Sequence, residues 1–298
     1  MSEKIADLTC DVIEQMSTTP SARLREIMES AVRHLHAFAT ETRLTPEEWL
    51  TGIAFLTEAG QMCNADRQEF ILLSDTLGLS SLVNLLHDQD GLSQATESSV
   101  LGPFYRENAP SYTYGDSIAE PGSSGIPVSY YGQIRDSEGN PVSGATIQIW
   151  QTDAEGWYDI QLHGQDAMDM RGSFISDTEG WYRAVSVLPK SYPLPNDGPV
   201  RRMLDAQGRH GYRPAHIHFL ISAEGHKELV TALYLAGDPY LHSDTVFGVT
   251  TSKLIVTPHL DEQDPQSGLA SIRYDFVLAT GASDTGRVGA DVAKLASE

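Results

Sequence analysis

The chain has 298 residues, 40% hydrophobic and 20% charged, the composition of an ordinary globular protein long enough for one large core or two smaller ones. Its formal net charge of -21, with no Lys/Arg-rich run, argues against nucleic acid and anionic membranes as partners. Met1 to Thr9 carries Glu3, Lys4 and Asp7 rather than an apolar run, no segment suggests a membrane span, and Cys10 and Cys63 are too few for a disulfide framework, so a cytoplasmic setting is expected.

Residues 1–90 read as helical. Pro20-Ser21-Ala22 opens a segment with Leu24, Ile27, Met28, Ala31, Leu35 and Phe38 at three- and four-residue spacing, an amphipathic helix whose apolar face must be covered by something. Thr45-Pro46-Glu47-Glu48 supplies an N-cap, a first-turn proline and acidic side chains, followed by Trp49, Ile53 and Leu56 on one face. Residues 66–73 and 80–86 predict two further helices, broken at Gly78. His34 and His36 point about 200° apart on a helix and cannot hold one metal together.

Between Gly91 and Gly125 the composition turns to Gly, Ser, Pro and Tyr, including Leu101-Gly102-Pro103-Phe104-Tyr105, which marks a passage from helical to β architecture. Six β-rich runs follow, at 129–134, 144–150, 181–187, 216–221, 229–235 and 272–278, and predict a β-sandwich. Asp136-Ser137-Glu138-Gly139-Asn140-Pro141 predicts a hairpin between the first two. The fold class is α+β: a helical N-terminal domain and linker at 1–105, a β-sandwich at 106–280, and a small, polar, poorly ordered tail at 281–298.

Two features stand out in the β half. The pattern D-x-E-G-W-Y occurs at Asp153-Ala154-Glu155-Gly156-Trp157-Tyr158 and again at Asp177-Thr178-Glu179-Gly180-Trp181-Tyr182; a glycine-closed turn before a strand explains both, so at most one of the tyrosines is functional. In Arg213-Pro214-Ala215-His216-Ile217-His218-Phe219 an extended chain puts His216 and His218 on one face and Ile217 and Phe219 on the other. The heptapeptide alone suits a metal site and a strand with a structural histidine equally.

With Tyr158, Tyr192 in Leu188-Pro189-Lys190-Ser191-Tyr192-Pro193-Leu194-Pro195, Arg213, His216 and His218 in order, the sequence resembles the intradiol ring-cleavage dioxygenases. The resemblance runs from Gln68-Glu69-Phe70-Ile71-Leu72-Leu73-Ser74-Asp75 through Val100-Leu101-Gly102-Pro103-Phe104-Tyr105 to the His-x-His run. Ser74-Asp75-Thr76-Leu77-Gly78, Tyr192-Pro193-Leu194-Pro195 and Ser243-Asp244-Thr245-Val246-Phe247-Gly248-Val249 draw it nearest to the hydroxyquinol 1,2-dioxygenases.

The resemblance implies a non-haem Fe(III) cofactor held by Tyr158, Tyr192, His216 and His218, since hard phenolate oxygens favour Fe(III). It implies that both atoms of O2 enter an aromatic diol or triol, hydroxyquinol giving 3-hydroxy-cis,cis-muconate or maleylacetate in aromatic catabolism. Tyr192 acts as general base and Arg213 supplies positive charge beside the reacting oxygens. Leu72, Asp75, Val100, Leu101, Gly102, Phe104, Leu194, Pro195, Arg213 and Val246 line the substrate pocket, Asp75 facing the third hydroxyl. Ala232 stands where catechol-cleaving relatives often carry Gln, which removes a polar group near the metal. The family also implies a homodimer through the helical domain, with a bound phospholipid. A catechol or chlorocatechol 1,2-dioxygenase is the alternative, and a non-catalytic transthyretin-like β-sandwich binding module is the alternative of another class.

Overall fold

The computed structural model describes residues 3–64, 67–88, 94–163, 167–260 and 269–281. Beyond Gly281 the tail expected at 281–298 lies outside the described residues, as does Asp66 at the head of one expected helix. The chain forms two compact units that divide after Glu58, the second running to Thr285.

The first unit holds helices α1 (Glu3–Gln15) and α2 (Ala22–Thr42) and most of α3 (Pro46–Gln61). Ser21 caps α2 by accepting the Leu24 amide, and Arg43 closes it in the left-handed region. At the start of α3, the Glu48 amide donates to Thr45 Oγ1 while Glu48 Oε2 accepts from the Thr45 amide, a reciprocal pairing that satisfies donors the helix leaves open. The apolar face read from the sequence is not covered within the unit: Leu24, Ile27, Met28, Leu35 and Phe38 of α2 are exposed, as are Trp49, Leu50, Ile53 and Leu56 of α3.

The second unit opens with α4 (Glu69–Thr76) and α5 (Leu79–Asp88), hinged at Gly78 with φ +75. Among the described residues no single helix is long and apolar enough to cross a membrane. Strands β1 (Pro127–Asp136) and β2 (Thr146–Gln151) come next, then α6 (Asp159–His163), β3 (Arg171–Ile175), β4 (Trp181–Val187), the two-residue β5 (Tyr192–Pro193), α7 (Pro199–Ala206) and β6 (Tyr212–Arg213). The chain continues through β7 (His216–Ser222), β8 (Leu229–Leu235), β9 (Ile255–Val256), β10 (His259–Leu260), β11 (Ala270–Arg273) and β12 (Phe276–Leu278). One sheet runs β3-β2-β7-β8-β9; in the other, β1 takes β11 and β12 along one edge and β4 along the other. Alternation along β7 behaves as the pattern predicts: Ile217, Phe219 and Ile221 join Val128, Ile134 and Ile272 in the core, each fully buried aliphatic contributing about 1.5–3 kcal/mol.

Two β expectations are corrected. The turn at 136–141 forms locally, with Gly139 and Asp136 amides bonded to Asp136 and Asn140 carbonyls and Arg135 bridging Pro141, but β1 and β2 then part into different sheets rather than pairing as a hairpin. The run 272–278 is two strands, because the chain bends at Tyr274 where its carbonyl presses on β1; a Cβ on Gly132 would overlap that oxygen. Helices α6 and α7 and strand β3 were not signalled by periodicity.

Candidate active site

Register places the two histidines. On β7, His216 lies opposite Tyr234 of β8, and His218 lies between Trp150 of β2 and Ala232 of β8. The Pro214 carbonyl can only accept, so His216 Nδ1 at 2.7 Å carries the proton and Nε2 is a free electron pair. That Nε2 sits 3.0 Å from His218 Nε2 and accepts from Arg213 Nη1 at 3.0 Å. Burial, and after it the Arg213 charge, hold both imidazoles well below their usual range, which keeps them neutral and able to donate to a metal.

The tyrosines arrive from two turns. Tyr192 on β5 is the cross-strand partner of Arg213 on β6, which explains how segments far apart in sequence meet. Tyr158 follows the positive-φ turn at Gly156 and precedes α6. Their rings stand edge to face with centroids 5.3 Å apart, Tyr192 is 5.6 Å from His216, and Phe104 stacks on Tyr158 at 4.4 Å. Burial pushes the Tyr158 phenol well above its usual range and raises Tyr192, on which Arg213 acts in the opposite direction.

Ferric iron fits these residues. Tyr158 Oη is buried without a well-formed hydrogen bond, the Tyr192 hydroxyl lying near enough to push its phenol up further, a condition that costs up to about 1–3 kcal/mol and that a metal bond relieves. Two neutral imidazole nitrogens face each other at 3.0 Å, and the Tyr192 ring, edge to face with Tyr158, links the two groups at 5.6 Å from His216. The phenol of Tyr192 stands beside the His216 imidazole, and a phenolate is a hard oxygen donor of the kind Fe(III) prefers.

The pocket candidates divide. Gly102, at φ +75, lies so close to His218 that a Cβ would touch its ring at 3.4 Å, and Leu101 packs against the cluster of Phe104, Trp150, Tyr158 and Tyr192. Val100, Val246 and Asp75 are buried; burial raises the Asp75 carboxyl, against the Ser80 hydroxyl and the Arg213 charge. Leu72 and Leu194 are buried and Pro195 half-buried, and no described hydrogen bond or ring contact ties them to the imidazoles or phenols. Ala232 offers His218 no polar atom, and His218 Nδ1 is without a partner; the Trp150 ring, 4.8 Å away and 5° from parallel, holds the imidazole instead.

Sequence reading missed three charged or polar supports. Asp159, next to Tyr158, receives Arg171 through Nε at 2.7 Å and through Nη2, and Arg106 Nη1 at 2.8 Å. Arg171 Nη1 also donates to the Phe104 carbonyl, so this buried triad ties the Phe104 wall to the helix that follows Tyr158. Asp244 pairs with Arg213 through both oxygens, each at 3.2 Å. Tyr234, fully buried with its phenol pushed up to about 12 by burial, touches both His216 and Arg213. A signal existed for Arg171, a lone charge leading into an apolar strand; Tyr234 gave none.

Known proteins resemble this chain over most of its length. Residues 100–280 match the family model described as Dioxygenase, and 21–94 the one described as Catechol dioxygenase N terminus. A 6-chlorohydroxyquinol 1,2-dioxygenase from Cupriavidus pinatubonensis is 46% identical over 272 residues, 91% of this chain and 96% of that protein. A hydroxyquinol 1,2-dioxygenase from a Rhizobium species is 44% identical, covering 90% and 93%. The solved hydroxyquinol 1,2-dioxygenase from Pseudomonas putida superposes with a TM-score of 0.83 at 42% identity, covering 93% of this chain and 99% of that one. The chain belongs to the intradiol ring-cleavage dioxygenases.

Proposed function

We propose that this dioxygenase holds ferric iron through Tyr158, Tyr192, His216 and His218 and cleaves hydroxyquinol between its adjacent hydroxylated carbons, giving 3-hydroxy-cis,cis-muconate or its tautomer maleylacetate. The observation that carries the reading is the convergence of two neutral imidazoles and two buried phenols, one whose hydroxyl lacks a well-formed hydrogen bond. When bound, ferric iron supplies a Lewis-acid centre and an electron acceptor that renders a coordinated diolate ring reactive towards O2.

The chain's own residues do the rest. Tyr192 Oη, as the phenolate that would hold the metal, takes a proton from a diol hydroxyl and becomes the neutral phenol that burial favours, while its neighbour Arg213 favours the charged form beforehand. The Arg213 guanidinium, fully buried and kept charged by Asp244, faces the oxygens where negative charge develops, and burial makes its field stronger than in water. Phe104, Leu101 and Gly102 wall the ring on the Tyr158 and His218 side. Asp75 accepts a hydrogen bond from the third hydroxyl, the group that sets hydroxyquinol apart from catechol.

Residues 1–105 serve as a dimerisation domain and linker and 106–280 as the catalytic domain; the uncovered apolar faces of α2 and α3 support a homodimer, with a phospholipid between helices, in a cytoplasmic enzyme of aromatic catabolism. Sizing and lipid extraction test these points.

The decisive experiment loads the protein with iron and measures oxygen uptake on hydroxyquinol, catechol and chlorocatechols side by side. The expected protein is red, from tyrosinate-to-iron charge transfer, and prefers hydroxyquinol; a colourless iron-loaded protein removes the ligand set. Asp75→Ala should lower kcat/KM about 10- to 100-fold for hydroxyquinol, the worth of one charged hydrogen bond, and far less for catechol. Equal losses on both would sink the role of Asp75.

A further inference from the structure

Arg213 does not stand alone in its pocket. Its Nη2 donates to Tyr234 Oη at 3.4 Å and to Asp244 Oδ2 at 3.2 Å. Ser99 Oγ lies 2.8 Å from Tyr234 Oη and 3.0 Å from the Gly248 carbonyl. The Gly248 amide, at the other end of the same residue, donates to Asp244 Oδ2 at 3.0 Å. These contacts close a ring from Arg213 through Tyr234, Ser99, Gly248 and Asp244 back to Arg213.

The proton directions around the ring are fixed by chemistry. The Gly248 carbonyl only accepts, so Ser99 donates to it; Ser99 then accepts from Tyr234, and Tyr234 accepts from Arg213, which only donates. Every hydroxyl has one proton and one use for it. The ring encloses Gly248 so tightly that a Cβ there would stand 2.5 Å from Tyr234 Oη, 2.7 Å from Arg213 Nη2 and 3.0 Å from Asp244 Oδ2. Asp244 is further held by the Val246 amide at 3.2 Å, and all four side chains of the ring are buried.

The ring reaches both pocket walls. Ser99 leads into Val100, Leu101 and Gly102, and its own amide is anchored on the Val230 carbonyl at 2.9 Å. Asp244 to Gly248 carries Val246. With Nε and Nη2 committed to the ring, Nη1 is the nitrogen left facing His216 Nε2. Free rotation of the guanidinium would scatter that positive charge; closure of the ring prevents it.

We infer that Tyr234, Ser99 and Asp244 are positioning residues for the ring-cleavage reaction, acting through Arg213 to fix which guanidinium nitrogen faces the reacting oxygens and to lock the two pocket walls in register. The inference rests on the proposed function, because it assigns the ring a share in that reaction.

The test uses full-length, iron-loaded protein and four variants, Tyr234→Phe, Ser99→Ala, the double variant of those two, and Asp244→Asn, with kcat and KM for hydroxyquinol measured separately beside iron content, the visible absorption band and the melting temperature. Tyr234→Phe and Ser99→Ala each open the ring without leaving a charge unpaired, so both should fold if Asp244→Asn does not. Each should lower kcat about five- to tenfold with KM and the absorption band unchanged, and the double variant should lose no more than the worse single one, since an open ring cannot be opened twice. Asp244→Asn should lower kcat at least about 100-fold. Wild-type kcat in iron-replete Tyr234→Phe and Ser99→Ala overturns the inference, as does a double variant that loses the product of the single losses. A wild-type protein that is colourless with iron or consumes no oxygen with any diol overturns the proposed function and the role of the ring with it, whereas an active wild type with fully active ring variants overturns the ring alone.

Discussion

The two D-x-E-G-W-Y turns are the same object built twice. In each, the leading aspartate accepts the amides two and four residues on, at 3.0 and 2.8 Å for Asp153 and 2.9 and 2.8 Å for Asp177, and its own amide bonds back to the tryptophan carbonyl. Each glycine has positive φ, +94 at Gly156 and +77 at Gly180. Both following tyrosines are fully buried and both phenols are pushed well above their usual range by that burial. They differ in what the hydroxyl meets. Tyr182 continues into β4 and donates to the Tyr274 carbonyl at 2.9 Å, among Phe219 and Phe276; Tyr158 turns into α6 and its hydroxyl has no well-formed hydrogen bond. A turn motif therefore delivers a tyrosine, and neither burial nor a shifted pKa says what for; the unmet hydrogen bond does.

The comparison is broken most directly by removing each hydroxyl. Tyr158→Phe should weaken and shift the visible absorption of the iron-loaded protein, leaving the Tyr192 contribution, and lower kcat by more than the roughly 10- to 100-fold expected for losing an outer support of a metal site. It should leave the metal-free melting temperature unchanged or raise it, since removing a buried hydroxyl with no well-formed hydrogen bond relieves its desolvation cost. Tyr182→Phe should do the reverse, leaving colour and kcat intact while stranding the Tyr274 carbonyl at a cost of about 1–2 kcal/mol, measured by denaturant unfolding. An unchanged absorption band and wild-type activity in Tyr158→Phe would show the two copies to be equivalent.

A second contrast lies one residue further on. Asp159 holds the buried Arg171 and the half-buried Arg106, whereas its counterpart after Tyr182 is Arg183, which donates to Ser129 Oγ at 3.0 Å. Asp159→Asn leaves buried positive charge uncompensated and should cost about 3–5 kcal/mol of stability, with iron retention falling as the Phe104 wall and α6 lose their tie. Arg183→Ala should move stability by about 0.5 kcal/mol or less. Similar losses at both positions, read from unfolding curves, would show that the triad supports the fold no more than an ordinary surface contact.

What the sequence made legible depended on how local the cause was. The helix starts at Ser21 and Thr45, the break at Gly78 and the same-face placement of His216 and His218 follow from neighbours within four residues, and periodicity reads those. The turn at 136–141 was read correctly as a turn and wrongly as a hairpin between β1 and β2, because sheet membership is decided by β4 and β7, which arrive later in the chain. The break of 272–278 depends on Gly132, and the Asp159 triad on Arg171 and on Arg106, 12 and 53 residues distant. Tyr158 and Tyr192 were singled out as proposed ligands only through resemblance: nothing within ten residues of Tyr192 announces that its strand will pair with Arg213.

The glycines of the two turns extend the contrast to backbone. A Cβ at Gly180 would meet the Ile134 carbonyl at 2.5 Å, inside the β1 ladder, whereas one at Gly156 would meet the Ser191 carbonyl at 3.1 Å and Tyr192 Cβ at 3.3 Å. Positive φ makes alanine unfavourable at either, by more than about 1 kcal/mol. Gly180→Ala should therefore be the more destabilising of the two while leaving kcat unchanged, and Gly156→Ala should lower kcat by shifting Tyr192.

The smallest effects test the turn itself. Asp153→Ala and Asp177→Ala remove the same carboxylate from the same pair of amides, so each should cost about 1 kcal/mol, and the two losses should add because the turns share no partner. Activity should separate them. Loosening the turn at Asp153 removes the anchor on the N-terminal side of Tyr158 and leaves the one to Gln161, so iron retention and kcat should fall modestly; loosening Asp177 frays the start of β4, whose remaining residues stay paired with β1 from Pro127 to Gly132, and should leave both unchanged. Equal activity in the two variants, at equal stability, would mean that Phe104, Gln161 and the Asp159 triad hold Tyr158 without help from the turn, and that the first copy of the motif is as purely architectural as the second.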